Sequence, residues 1–142
     1  MSLPMTTLEA FAAIPLAAVC CDQTFGKDEA RVIREQLLGR TAFKEMEPYA
    51  FALLISGLLK RFREESWQGL IASAAPLLSP EQQKMAFALA CQLMHCDRIV
   101  APQEQQFLAD LADNLHFTPA HAEQILDVCD LLSRDLVIEQ AN

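Results

Sequence analysis

The chain has 142 residues, 52% of them hydrophobic and 21% charged, with a formal net charge of −8. That length and balance suit a single globular domain, residues 1–142, with a genuine core, and argue against a disordered chain. The negative charge argues against a nucleic-acid binder, because such binding rests on cations that neutralise phosphates.

The charge is unevenly spread. Residues 1–96 carry ten acids against nine bases, while residues 97–142 carry nine acids against two. An acidic C-terminal third fits a bound cation, a basic partner, or a solvated face. Five cysteines (Cys20, Cys21, Cys91, Cys96 and Cys129) form no CxxC pair and lie in apolar stretches. They read as buried thiols in a reducing compartment, which makes a cytoplasmic protein the expectation. The longest apolar runs, Ala10–Cys21 and Pro48–Leu59, are about twelve residues, short of the ~20 that a membrane span needs. No Lys or Arg precedes Lys27, so the basic start of a signal peptide is not expected.

Along the chain the apolar spacing is helical throughout, and no alternating strand pattern occurs. Thr6 and Glu9 form a capping-box signal for a first predicted helix, from Thr7 to Cys21. It is apolar on nearly every face, as a helix buried on most sides would be, and Pro15 is its candidate kink. A second helix follows from Lys27 to Leu38, with Val32, Ile33, Leu37 and Leu38 as its apolar stripe and Gly39 as its stop. Pro48 opens a third, carrying Tyr49, Phe51, Leu53, Leu54, Ile55, Leu58 and Leu59 and ending in Lys60-Arg61-Phe62-Arg63. That basic cluster fits either an anionic partner or the negative end of a helix dipole. A fourth helix starts near Glu64-Glu65 and includes Trp67, Leu70 and Ile71.

Ser79-Pro80-Glu81-Gln82 is a strong start for a fifth helix, running to about Cys96, whose run Met85–Cys91 is apolar on all faces. Ala101-Pro102 opens a sixth, with Phe107, Leu108, Leu111, Ala112 and Leu115 inward. Thr118-Pro119 opens a seventh, with Ala122, Ile125, Leu126, Cys129 and Leu132 inward and Glu123, Asp127 and Asp130 outward. The expectation is an all-α bundle of about seven helices, packed around the first, third and fifth.

The chain also repeats itself. Cys21-Asp22-Gln23-Thr24-Phe25-Gly26-Lys27-Asp28-Glu29 returns seventy-five positions later as Cys96-Asp97-Arg98-Ile99-Val100-Ala101-Pro102-Gln103-Glu104. Each copy sits between an apolar run and a helical pattern, which predicts an internal pseudo-two-fold duplication. Asp22 and Asp97 each end an apolar helix, where a carboxylate meets the unfavourable end of the dipole. Backbone N–H groups of the turn or a bound cation would offset that cost. Glu29 and Glu104 fall at the third position of the following helices, where a Glu can reach back to a backbone N–H. Two readings stay open: a capped structural joint, or carboxylate ligands for Ca²⁺ or Mg²⁺, completed by backbone carbonyls and water.

This pattern of apolar helix, Asp, short turn and Glu at the start of the next helix, present twice in a chain of this size, resembles the TerB-like tellurite-resistance family. The resemblance covers most of the chain. It implies a compact, internally duplicated bundle of about seven helices, no catalysis, a stress- or metal-response setting, and an acidic cluster for divalent cations. Asp22, Glu29, Asp97 and Glu104 are the positions that match the family's acidic motif. The family often has Gly directly after the Asp, where this chain has Gln23 and Arg98. The alternative function is a protein-interaction scaffold in which the acidic corners serve structure only, and a protein partner is expected on either reading.

Other chemistry has weaker signals. Cys91, His95 and Cys96 share a predicted helix, with Cys20-Cys21 at the matching place in the first half, so a zinc site is conceivable. His116 and His121 read as surface residues near a helix junction. Glu-x-x-His pairs for a di-iron bundle, GxGxxG, P-loop and HExxH motifs do not occur.

Overall fold

The computed structural model describes residues 5–21, 27–95 and 102–133, apart from the side chains of residues 27–30, 32, 95, 103 and 133. Among these residues every element is helical: α1 (Thr7–Cys20), α2 (Lys27–Leu38), α3 (Thr41–Lys44), α4 (Pro48–Ala74), α5 (Pro80–His95), α6 (Pro102–Asn114) and α7 (Pro119–Ser133). A single 3-10 turn, Ala75–Leu77, follows α4.

The helix starts are set by local chemistry. At α1 the Glu9 backbone N–H donates to Thr6 Oγ1 (3.2 Å) and the Thr6 N–H donates to Glu9 Oε1 (3.1 Å), a reciprocal cap. Ser79 and Gln82 repeat the arrangement before α5, at 2.9 and 3.2 Å. Thr118 Oγ1 accepts from the His121 N–H at the start of α7. Each cap occupies N–H groups that the first helical turn leaves without partners.

α1 is the centre of the fold. Its residues from Ala10 to Ala18 are all buried, on every side of the helix. Pro15 sits inside α1 without ending it; the ring removes one backbone donor, and the packing around the helix outweighs that loss. α1 packs chiefly on α4 and α5, and also on α2. Five of its buried residues are alanines (Ala10, Ala12, Ala13, Ala17 and Ala18), small enough to bring neighbouring backbones close. α5 packs on α6 and α7 on its remaining sides. The core is wholly apolar among the described residues, with Phe87, Phe107, Ile14, Leu16, Leu58 and Leu70 fully enclosed.

The predicted third and fourth helices are one long element with a break inside it. Ser66 adopts φ 67°, ψ 173° within α4, a backbone region that suits glycine. The side chain of Glu65 bridges the break: its Oε2 takes a hydrogen bond and ion pair from Arg61 Nε at 3.0 Å, and its Oε1 accepts from Ser73 Oγ at 3.1 Å. The bend lets Trp67 reach Phe107 of α6, ring centroids 5.1 Å apart. The basic cluster therefore sits in the last turn before the break, where Arg61 has a structural role and Lys60 and Arg63 are exposed. The short α3 lies in a stretch for which the sequence predicts no helix. It buries Phe43 between Phe11 and Phe51, at centroid distances of 6.2 and 6.4 Å. Gly39 follows the end of α2 as expected, but without the left-handed conformation of a glycine stop. Among the described residues, no helix is long and apolar enough to cross a membrane.

Two substitutions test the break in α4. Ser66→Gly removes the cost of the positive φ and should raise the free energy of unfolding by about 1 kcal/mol or more. Gly69→Ala should lower it, because a Cβ there would lie 2.8 Å from the Cβ of Glu65. Urea denaturation of both variants, with unchanged slope, is the check.

Candidate functional site

The two repeated corners begin and end at matching places. α1 ends at Cys20 and α2 begins at Lys27; α5 ends at His95 and α6 begins at Pro102. Both boundaries of the first corner thus recur seventy-five positions later. Glu29 and Glu104 are each the third residue of their helix. Glu104 is half-buried in the first turn of α6, where the helix dipole favours a carboxylate. Asp22 and Asp97 lie outside the described residues, as does the side chain of Glu29. Of the four predicted ligands, only Glu104 therefore has a described side chain. Among the described residues no three His, Cys, Asp or Glu side chains converge as ligands for one ion.

The thiols are arranged differently from the zinc expectation. Cys91 of α5 faces Cys129 of α7 across the helix pair, and the two thiols are hydrogen-bonded. Cys129 Sγ in turn donates to the Ala88 carbonyl, at 3.7 Å. Both side chains are buried, and burial pushes both thiols above their ordinary range; contact with Cys129 raises Cys91 further. Such thiols behave as small core hydrophobes, not as nucleophiles. Cys96 and the side chain of His95, the other members of the zinc expectation, lie outside the described residues. The Cys91–Cys129 pairing joins positions 38 apart, too distant for a local spacing rule to find. The inward reading of Cys129 was its only signal.

Two apolar surfaces remain open to solvent. A groove of about 510 Å³ between α2, α3 and α4 has a floor of Ile33, Leu38, Met46, Phe51 and Ile55. Among the described residues, its charged lining residues are Arg34 and Lys44. Tyr49 and Leu53, beside it on α4, are 74% and 55% exposed, so the apolar face of the predicted third helix is only partly covered. The second surface is on α7. Leu132, expected to point inward, is 70% exposed, together with Leu131 and Val128. Asp130, expected outward, is half-buried. α7 has more apolar residues than its one buried stripe accommodates, and this excess was visible in the run Ile125 to Leu132. His116 is exposed, as expected, with φ 58°. His121 is half-buried and stacked on Phe117 at 4.9 Å.

The thiol pair has a pH signature. Unfolded thiols ionise near 9.0, and both native thiols hold their protons above that. As pH rises past 9.0 the unfolded chain releases protons first, so stability should fall with rising pH. Cys91→Ala, though less stable at neutral pH, should show a shallower fall. Iodoacetamide at neutral pH should label both thiols only as fast as the chain unfolds.

Comparison with known proteins finds no matching family model, no matching curated relative and no matching solved structure.

Proposed function

We propose that the chain is a non-enzymatic, TerB-like stress-response module whose two acidic corners, Asp22 with Glu29 and Asp97 with Glu104, bind a divalent cation, Ca²⁺ or Mg²⁺. The observation that carries this reading is the matched placement of Glu29 and Glu104, each third in a helix that starts seven positions after an apolar helix ends. A pseudo-two-fold duplication accounts for that match. The mutual packing of α1 on α5, the two helices that precede the corners, supports it. Ile33 and Leu108, equivalent under the repeat, are both buried.

The carboxylates supply the chemistry. Hard divalent cations take oxygen ligands, and two Asp and two Glu would provide the charge, with backbone carbonyls and water filling the rest. A cation there would also relieve the repulsion between each Asp and the end of the helix before it. The setting we propose is the cytoplasm, in keeping with buried thiols in the core.

The second reading is a protein-interaction scaffold with structural corners. The exposed apolar residues Tyr49, Leu53, Leu131 and Leu132 favour it.

Thermal unfolding with and without metal separates the two. On the cation reading, Ca²⁺ or Mg²⁺ at about a hundredfold above its Kd should raise Tm by roughly 5–10 °C. Asp22→Asn with Asp97→Asn should abolish the rise and leave the metal-free protein as stable or more so. On the scaffold reading neither ion shifts Tm, and Asp97→Asn destabilises the protein even in chelator.

A further inference from the structure

We propose that the groove between α2, α3 and α4 binds a single-chain amphiphile with a carboxylate head, of the long-chain fatty-acid class. The alkyl tail lies along the apolar floor, and the head reaches Arg34 and Lys44. The groove takes no part in the cation reading, so the two stand or fall separately.

Size and floor select the tail. At about 510 Å³ the groove falls within the range of small-molecule sites, roughly 300–1,000 Å³. Three elements wall it, so it is a trough that can cover an alkyl chain along its length. Ile33 and Phe51 at its base are buried, and Leu38, Met46 and Ile55 are half-buried. The surface offered is hydrocarbon, plus one thioether whose flexible side chain adjusts to the shape laid against it. A tail of methylenes has no polar group to leave without a partner on such a floor. A sugar or an extended peptide would bring hydroxyl or N–H groups that the floor cannot satisfy.

Charge selects the head. Among the described residues, the polar side chains lining the groove are those of Arg34, Lys44 and Ser56. All three can donate hydrogen bonds, and none is a carboxylate. The two cations come from different walls, Arg34 from α2 and Lys44 from the end of α3. Both are exposed, and neither forms an ion pair among the described residues. Glu35, Glu45 and Glu47, their neighbours in sequence, are exposed and do not line the groove. In a chain whose net charge is −8, this is a local excess of positive charge beside an apolar trough. A carboxylate accepts from a guanidinium and an ammonium together, and such charge-assisted bonds are about twice as strong as neutral ones. The depression between α5 and α7 is also apolar, but among the described residues its charged lining is Arg40 alone, already held over the Phe11 ring at 5.3 Å.

Titration calorimetry of the full chain with sodium dodecanoate, kept below its micelle concentration, tests the proposal, with methyl NMR to locate the ligand. Dodecanoate should bind at one equivalent and shift the methyl signals of Ile33, Leu38 and Ile55. Across octanoate, decanoate and dodecanoate, Kd should fall by roughly tenfold for each two methylenes added. Dodecyltrimethylammonium, with the same tail and a cationic head, should bind at least about tenfold more weakly. Arg34→Gln with Lys44→Gln should raise the dodecanoate Kd by at least about tenfold and narrow the gap between the two heads. Ala52→Trp, at an exposed lining position, should fill the trough and abolish binding of both. All three positions are exposed, and circular dichroism confirms that the variants fold. The absence of saturable dodecanoate binding overturns the proposal, as does equal affinity for the two heads. So does binding unchanged in the Gln variant, or methyl shifts confined to Ile125 and Val128 in the α5–α7 depression.

Discussion

The structure depends on burying one helix from every side. α1 carries no charge between Glu9 and Cys20, and its run from Ala10 to Ala18 is closed off from water around the whole circumference. A helix with only one apolar stripe needs a single neighbour; a helix apolar all round needs to be surrounded. Alanines at 10, 12, 13, 17 and 18 let α4 and α5 approach, and Phe11, Ile14 and Leu16 fill the spaces between them. Each large side chain so enclosed contributes about 1.5–3 kcal/mol. Pro15 is tolerated inside α1 because this enclosure holds its backbone in place.

Other features follow from surrounding that rod with a chain this short. α4 has to cover α1 and also reach α6, and it does both by breaking at Ser66. The unfavourable backbone there is offset by the Glu65 bridge to Arg61 and Ser73 and by the Trp67–Phe107 contact. α3 is a single turn whose purpose is Phe43, wedged between rings of α1 and α4. α7 packs on α5 through Ala122 and Cys129, where the paired thiols of Cys91 and Cys129 occupy core space. With α4 and α5 both committed to α1, the outer sides of α4 and α7 are left apolar and exposed.

Much of this was legible in the residues. The caps at Thr6–Glu9 and Ser79–Gln82 are local chemistry within four positions, and both form as read. The all-round apolarity of the first predicted helix, and of the run Met85–Cys91 in the fifth, pointed to their burial. Prolines at 48, 80, 102 and 119 marked four helix starts. What escaped was non-local. Ser66 has no sequence signal for a positive φ, since the conformation is imposed by what lies on either side of it. Tyr49 and Leu132 look like core residues by type, and only the packing of the described helices shows that both are exposed. Of the acidic corners, the helix positions of Glu29 and Glu104 were legible. Asp22 and Asp97 lie outside the described residues.

α1, held by α4 and α5 together, should be the last element to lose its structure. Native-state hydrogen exchange at increasing urea measures this directly. Amides of α1 between Ala13 and Ala18 should exchange only through global unfolding, with an opening free energy equal to that from urea denaturation and a full denaturant slope. Exchange of those amides through a smaller opening, while α4 or α7 stays protected, would contradict it.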